Sequence, residues 1–245
     1  MKRSILMVGV VAAMLLTTSS AFAAGLNLRW TNCLGDAGLQ NKTSACTSNL
    51  GSAGSLVGSF VLPNDVVGAT GIETIVDVVV NDTALPAWWT AVCRPNFMGQ
   101  NPTISPSAAN CFEWAPGVAG GLGKFWETTP PGGTNYGANT GRAIAAFATA
   151  TPTDVVAGPG NEYFAFNLTI SNTKSSGTGS CAGCATAACL VFNSIKMVAG
   201  TSTAVFLEGA NTAGSNIATW QGTAANCAAV PTRNTSWGAV KSLYR

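Results

Sequence analysis

The eight cysteines constrain this chain more than any other feature: Cys33, Cys46, Cys93, Cys111, Cys181, Cys184, Cys189 and Cys227. All of them follow a leader that decides their chemistry. MKRSILMVGVVAAMLLTTSSAFA opens on the basic pair Lys2 and Arg3, runs apolar from Ile5 to Leu16, and closes on Ala21 and Ala23 around Phe22. That is the three-part layout of a secretory signal peptide, and it predicts cleavage after Ala23. The apolar run of 12 residues falls short of the roughly 20 that cross a bilayer. The expected mature protein, residues 24–245, is a single exported domain, secreted or periplasmic, with no membrane span. In an oxidising compartment an even set of cysteines reads as four disulfides.

Eight cysteines allow on the order of a hundred connectivities. Local spacing favours Cys33 with Cys46 and Cys93 with Cys111, each pair closing a loop rich in Gly, Asn, Ser or Pro, at about 3 kcal/mol per bridge. The other four then pair among themselves, which ties Cys227 to the SCAGCATAAC stretch at 180–189. The spacing of Cys181 and Cys184 is also that of zinc knuckles and redox dithiols. Zinc requires four converging ligands, and the chain has no histidine and no second close pair. A redox dithiol opens a helix whose terminus stabilises the thiolate, whereas ATAACLVFNSIKMV turns at once into a strand pattern. SCAGC therefore reads as a staple. NCLGDAGLQN and NDTALP put Asn and Asp in loops without the spacing of a calcium loop, so neither a metal nor a cofactor is expected.

The secondary-structure signal has period two. In EYFAFNLTISN, Phe164, Phe166, Leu168 and Ile170 alternate with Ala165, Asn167, Thr169 and Ser171. In ETIVDVVVND, Thr74, Val76, Val78 and Val80 share one face and Asp77 interrupts the other. LNLRW (26–30), LVGSFVL (56–62), RAIAAFAT (142–149), CLVFNSIKMV (189–198) and AVFLEG (204–209) predict further strands. RAIAAFAT is the ambiguous one, since its alanines also favour helix. Turn residues fill LGDAGLQN, APGVAGGLGK, TTPPGGTNYGANTG and SNTKSSGTGS between the strands. The expected fold is all-β: a disulfide-stapled antiparallel β-sandwich or jelly roll. PGGTNYGANTG is the candidate for an inserted mobile loop. The connection of about 16 residues ahead of Cys189 is long for a structureless segment, which gives the SCAGC staple a task.

Removal of the leader takes Lys2 and Arg3 with it, leaving ten basic residues against ten acidic ones. A neutral chain lacks the basic footprint that phosphate backbones require, so nucleic acid is not an expected partner. The lack of histidine removes Ser-His-Asp and Cys-His catalysis together with the usual near-neutral base. No P-loop or dinucleotide fingerprint is present. Paired carboxylates remain. Glu113, Glu127, Asp77 and Asp82 are the candidates for a glycosidase pair, which needs carboxyl groups about 5 to 9.5 Å apart, against the ordinary role of such acids as solvated or turn-capping groups.

The aromatic candidates for ligand binding are Trp88 and Trp89 in WW, Trp114 in FEW and Trp126 in FWE, the last two beside Glu113 and Glu127. Flat rings with hydrogen-bonding neighbours suit sugar rings, although most tryptophans pack the interior or its loops. In an extended WW only one of the two rings faces outward.

GLNLRWTNC near the start, EYFAFNLTISN, SCAGC ahead of a strand, and the ending WGAVKSLYR together resemble a set of uncharacterised exported bacterial proteins of about this length. The resemblance covers most of the mature chain and brings no activity, ligand or catalytic residue. The function expected is that of an exported structural or interaction protein of the cell surface or periplasm, with no catalytic site evident and a polysaccharide or surface protein as partner. The alternative is a carbohydrate-binding module using exposed Trp residues, and the third reading is a carboxylate-dependent glycoside hydrolase or lyase.

Overall fold

The structure, a computed structural model, describes residues 24–101, 111–115, 118–127, 137–222 and 227. The leader, the ending WGAVKSLYR and residues 131–136 of PGGTNYGANTG lie outside them. Among the described residues no helix is long and apolar enough to cross a membrane.

Two sheets form a sandwich. β1 (Gly25–Trp30), β3 (Ser52–Val61), β8 (Glu162–Ser171) and β5 (Met98–Asn101) make the first, in the order β1-β3-β8-β5. The second runs β2-β11-β9-β4-β7-β6, from β2 (Asn41–Lys42), β11 (Ile217–Trp220), β9 (Ala188–Ala199), β4 (Val66–Val80), β7 (Thr140–Val155) and β6 (Val118–Glu127). β10 (Ser202–Glu208) pairs β9 antiparallel beyond β11. All of these pairings are antiparallel except the short one between β11 and β2. The strands expected from alternation are all present, RAIAAFAT among them.

The two inner faces supply the core. Leu28, Leu56, Phe60, Phe166, Leu168 and Ile170 come from the first sheet, and Ile72, Val76, Val78, Phe147, Leu190 and Phe192 from the second. Phe166 meets Phe192 edge-on across the layers at 4.9 Å. Gly58 makes that contact possible, because a Cβ there would overlap the Phe166 ring. Gly58→Val is expected to destabilise the fold by roughly 2–3 kcal/mol through overpacking, read as a lowered urea midpoint; an unchanged midpoint would mean that Phe166 has room to move.

Alternation holds in β4, where Thr74, Val76, Val78 and Val80 are buried as expected. In β8 it holds only in part. Phe166 pairs with Gly58 and Phe164 with Ser59, which leaves Ala165 without a partner in a β-bulge. The extra residue reverses the facing of everything before it. Phe164 therefore packs with Cys33 and Val57 on the outer face, while Tyr163 and Ala165 enter the core.

β6 is a strand that composition concealed. Its Gly120, Gly121 and Gly123 suggest a turn, yet they pair with Ala148, Phe147 and Ala145 of β7. The strand registers also define two ends. One collects Gly25, Val61, Val66, Val155 and Glu162; the other collects Trp30, Leu56, Ser171, Val80, Ala188 and Trp220.

Candidate functional site

The second of these ends is filled with tryptophan. Ala87–Trp89 forms one 3-10 turn after Pro86 rather than an extended segment, so the expectation that one ring of WW faces solvent is corrected: Trp88 and Trp89 are both 0% exposed. A proline that fixes the backbone just ahead of the pair was the signal for a turn. Trp88 stacks on Trp220 at 5.0 Å, Trp89 meets the two edge-on at 4.7 and 5.9 Å, and Trp30 lies 6.0 Å from Trp220. Trp30 and Trp220 end β1 and β11, and their spatial meeting with WW had no local signature.

The indole N–H groups fix the cluster to its surroundings. Trp30 donates to the Thr219 carbonyl (2.9 Å), Trp88 to Ser175 Oγ (2.9 Å) and Trp220 to the Cys184 carbonyl (2.7 Å). Trp89 Nε1 is buried without a hydrogen-bond partner among the described residues. SCAGC lies across this cluster as a cover. Its Ala182 carbonyl accepts from Trp88 N (2.9 Å), and Gly183, at φ +101°, packs so close to Pro86 that no side chain fits.

The disulfides that hold this cover are not the local ones expected. Cys46 bonds Cys184, Cys93 bonds Cys181, Cys33 bonds Cys111 and Cys189 bonds Cys227, with sequence separations of 138, 88, 78 and 38. Cys33–Cys46 and Cys93–Cys111 do not form, and the four later cysteines do not pair only among themselves. Cys227 does reach the SCAGCATAAC stretch, through Cys189. Closing a long loop costs only slightly more entropy than closing a short one, so proximity in sequence was a poor guide to pairing.

Arg94 sits beneath the same cover and is fully buried. Its guanidinium lies 3.7 Å from the Trp88 ring centre and 5.0 Å from that of Phe97. Nε donates to the Thr173 carbonyl (2.8 Å), Nη1 to the Trp88 carbonyl (2.6 Å), and Nη2 to the Ser171 carbonyl. Burial pushes its pKa down to about 10.

Of the remaining candidates, Asp77, Trp126 and Glu127 come to neighbouring strands, Asp77 and Trp126 on either side of Arg142, while Trp114, Glu113 and Asp82 lie elsewhere. Trp114 is buried in the core, so FEW presents Phe112, 56% exposed, and Glu113 instead. Trp126 and Glu127 hold strand positions opposite Arg142 and Gly141. Asp77 is ion-paired with Arg142, whose Nε and Nη2 donate at 2.6 and 2.7 Å, and accepts from Asn193 Nδ2 at 2.6 Å. Asp82 is exposed in the bend after β4.

Glu162, which sequence reasoning passed over, is the most heavily engaged carboxylate described. It accepts from Asn27 Nδ2 (3.0 Å), Leu34 N (3.0 Å), Gly35 N (2.7 Å) and Ser59 Oγ. The arrangement pins the 34–36 turn onto the outer face of the first sheet beside the Cys33–Cys111 bridge. Burial lowers the pKa of neighbouring Arg29, with Glu162 opposing that shift. Glu162→Gln leaves one acceptor oxygen for these donors and is expected to lower stability by about 1–3 kcal/mol; thermal unfolding at neutral pH with an unchanged midpoint would contradict this.

A cleft of about 140 Å³ opens between the 91–98 segment and β6, lined by Ala91, Asn96, Phe97, Met98, Gly123 and Phe125. None of these six side chains titrates, so the described lining offers an apolar and amide surface with no acid or base of its own. Among the described residues, no three Cys, Asp or Glu side chains converge as metal ligands. The four disulfides suit an oxidising compartment. No family model, curated protein or solved structure matches the chain.

Proposed function

We propose that the protein is an exported structural or interaction protein, acting at the cell surface or in the periplasm after cleavage near Ala23. The observation that carries this reading is the disulfide wiring at the tryptophan end. The space between the sheets, where a sandwich most readily houses a ligand, is occupied there by Trp30, Trp88, Trp89 and Trp220 and closed by Cys46–Cys184 and Cys93–Cys181. Such an end serves durability outside the cell and leaves recognition to the exposed surface. Fractionation of producing cells, with amino-terminal sequencing of the mature chain, tests it: an uncleaved protein in the cytoplasmic fraction would end the proposal.

A second reading, a carbohydrate-binding module, draws on Phe112, which is 56% exposed beside exposed Glu113. An exposed ring with a carboxylate at its edge can meet a sugar face. Retention on insoluble polysaccharides that is lost in Phe112→Ala supports it; no retention on any polysaccharide removes it.

A further inference from the structure

The bond expected to be cut on export adjoins the first residue of the fold. Ala24, which the cut would make the amino terminus, is half-buried and packs against the core. β1 starts at the next residue, Gly25, and all six of its residues are buried. No connector separates the cleavage point from the strand.

Gly25 lies where no side chain fits. Its φ is +155°, and a Cβ there would come within 2.6 Å of Asn211 N, 2.7 Å of the Ala210 carbonyl carbon and 2.8 Å of its oxygen. These are backbone atoms, which cannot turn aside as the end of a flexible side chain can. Leu26 N donates to the Gly209 carbonyl (2.9 Å), and Asn211 N donates to the Leu26 carbonyl (3.0 Å). On its other edge β1 pairs β3, from Gly25 opposite Val61 to Trp30 opposite Leu56. Leu26 and Leu28 are 0% exposed. Further along, Arg29 Nη1 donates to the carbonyls of Leu28, Ser215 and Ile217 at 2.7, 2.8 and 3.2 Å. The strand is therefore tied down on both edges from its first residues, unlike the frayed terminus of most domains.

We propose that the folded chain shields its own processing site, so that cleavage after Ala23 takes place before the start of β1 seats between β3 and the 209–211 segment. A peptidase holds its substrate as an extended strand and bonds to backbone on both sides of the bond it cuts. Water then adds across that bond, its hydroxyl to the Ala23 carbonyl carbon and its hydrogen to the Ala24 nitrogen, which leaves as an amine. The enzyme has to reach the Ala24 nitrogen and grip the residues that follow it. In the folded chain Ala24 is packed, Gly25 has backbone against it, and both backbone groups of Leu26 are already bonded to Gly209 and Asn211. The first sheet is therefore completed only after the cut. The proposal rests on the reading of a leader cleaved near Ala23.

Incubation of the purified precursor, residues 1–245, with a bacterial signal peptidase in detergent micelles tests it. The substrates are the reduced and alkylated precursor, the oxidised precursor, and an oxidised precursor with a Ser-Gly-Ser-Gly spacer inserted after Ala23. The reduced chain is expected to be cut after Ala23. The oxidised chain is expected to be cut roughly a hundredfold more slowly, because cleavage of a closed site follows the population of its opened form. The spacer carries the scissile bond clear of the fold, and cleavage is expected to return to within about tenfold of the reduced chain. Near-ultraviolet circular dichroism reads the folding of the oxidised chains; a precursor that reaches the mature spectrum only after cleavage also supports the order. Equal rates for the folded and reduced precursors overturn the proposal and leave the leader reading standing. A folded spacer variant that resists cleavage overturns it too, since the shielding then has a cause other than β1. A reduced precursor that is not cut overturns the leader reading and this proposal together.

Discussion

Removing both bridges to SCAGC, by Cys46→Ala with Cys184→Ala and Cys93→Ala with Cys181→Ala, is expected to leave a chain that does not fold at 37 °C. Each bridge closes a loop of 138 or 88 residues, and the chain-entropy model gives loops of that size about 4–5 kcal/mol each, with removal of native bridges typically costing about 2–5. A domain has about 5–15 kcal/mol in total. Loss of both bridges therefore approaches the whole. Either pair of alanines alone is expected to fold with a lowered urea midpoint, and the four-alanine chain to show no cooperative transition in near-ultraviolet circular dichroism. A four-alanine chain with the native midpoint would show that the tryptophan cluster holds SCAGC without covalent help.

Arg94→Met is expected to cost about 3–5 kcal/mol, although methionine fills part of the same volume. The substitution leaves the carbonyls of Trp88, Ser171 and Thr173 without the donor that serves them, and it removes the cation from the face of Trp88. Arg94→Lys is expected to recover only part of the loss, since one ammonium cannot copy a planar fork of donors. The pH dependence carries a defined sign. The folded-state pKa of about 10 lies below the ordinary arginine value, so the folded protein releases this proton first as pH rises. Below about pH 10 the group is charged in both states, and the stability difference between native and Arg94→Met chains is expected to be flat. Stability gained from this group appears only above that value. A difference that varied steeply between pH 5 and 8 would point to another titrating group.

Why some of this was legible in the residues and some was not has physical reasons. β4 and most of β8 could be read because one face of each meets a core and the other does not. Ala165 could not be read as a bulge, because the extra residue is specified by pairing with Gly58 and Ser59 on another strand. β6 was hidden by glycines whose weak intrinsic strand preference is overridden by pairing with β7. An extended WW would turn one ring outward, whereas a single turn after Pro86 sends both rings inward. The sandwich class followed from alternation; the position of each tryptophan depended on contacts between residues far apart. Glu162 was missed for a similar reason, since its four donors come from three separate segments.

The bridges also have a consequence for how the chain can be cut. Cys33–Cys111, Cys46–Cys184 and Cys93–Cys181 overlap, so residues 33–184 form one covalently closed unit, and Cys189–Cys227 closes a second over 189–227. A single peptide-bond break inside either unit leaves the molecule in one piece until it is reduced. Between the two units the covalent path narrows to one strand of backbone, Ala185-Thr186-Ala187-Ala188. Internal to the bridged region, that four-residue tether is where one cut divides the protein, and it begins immediately after SCAGC.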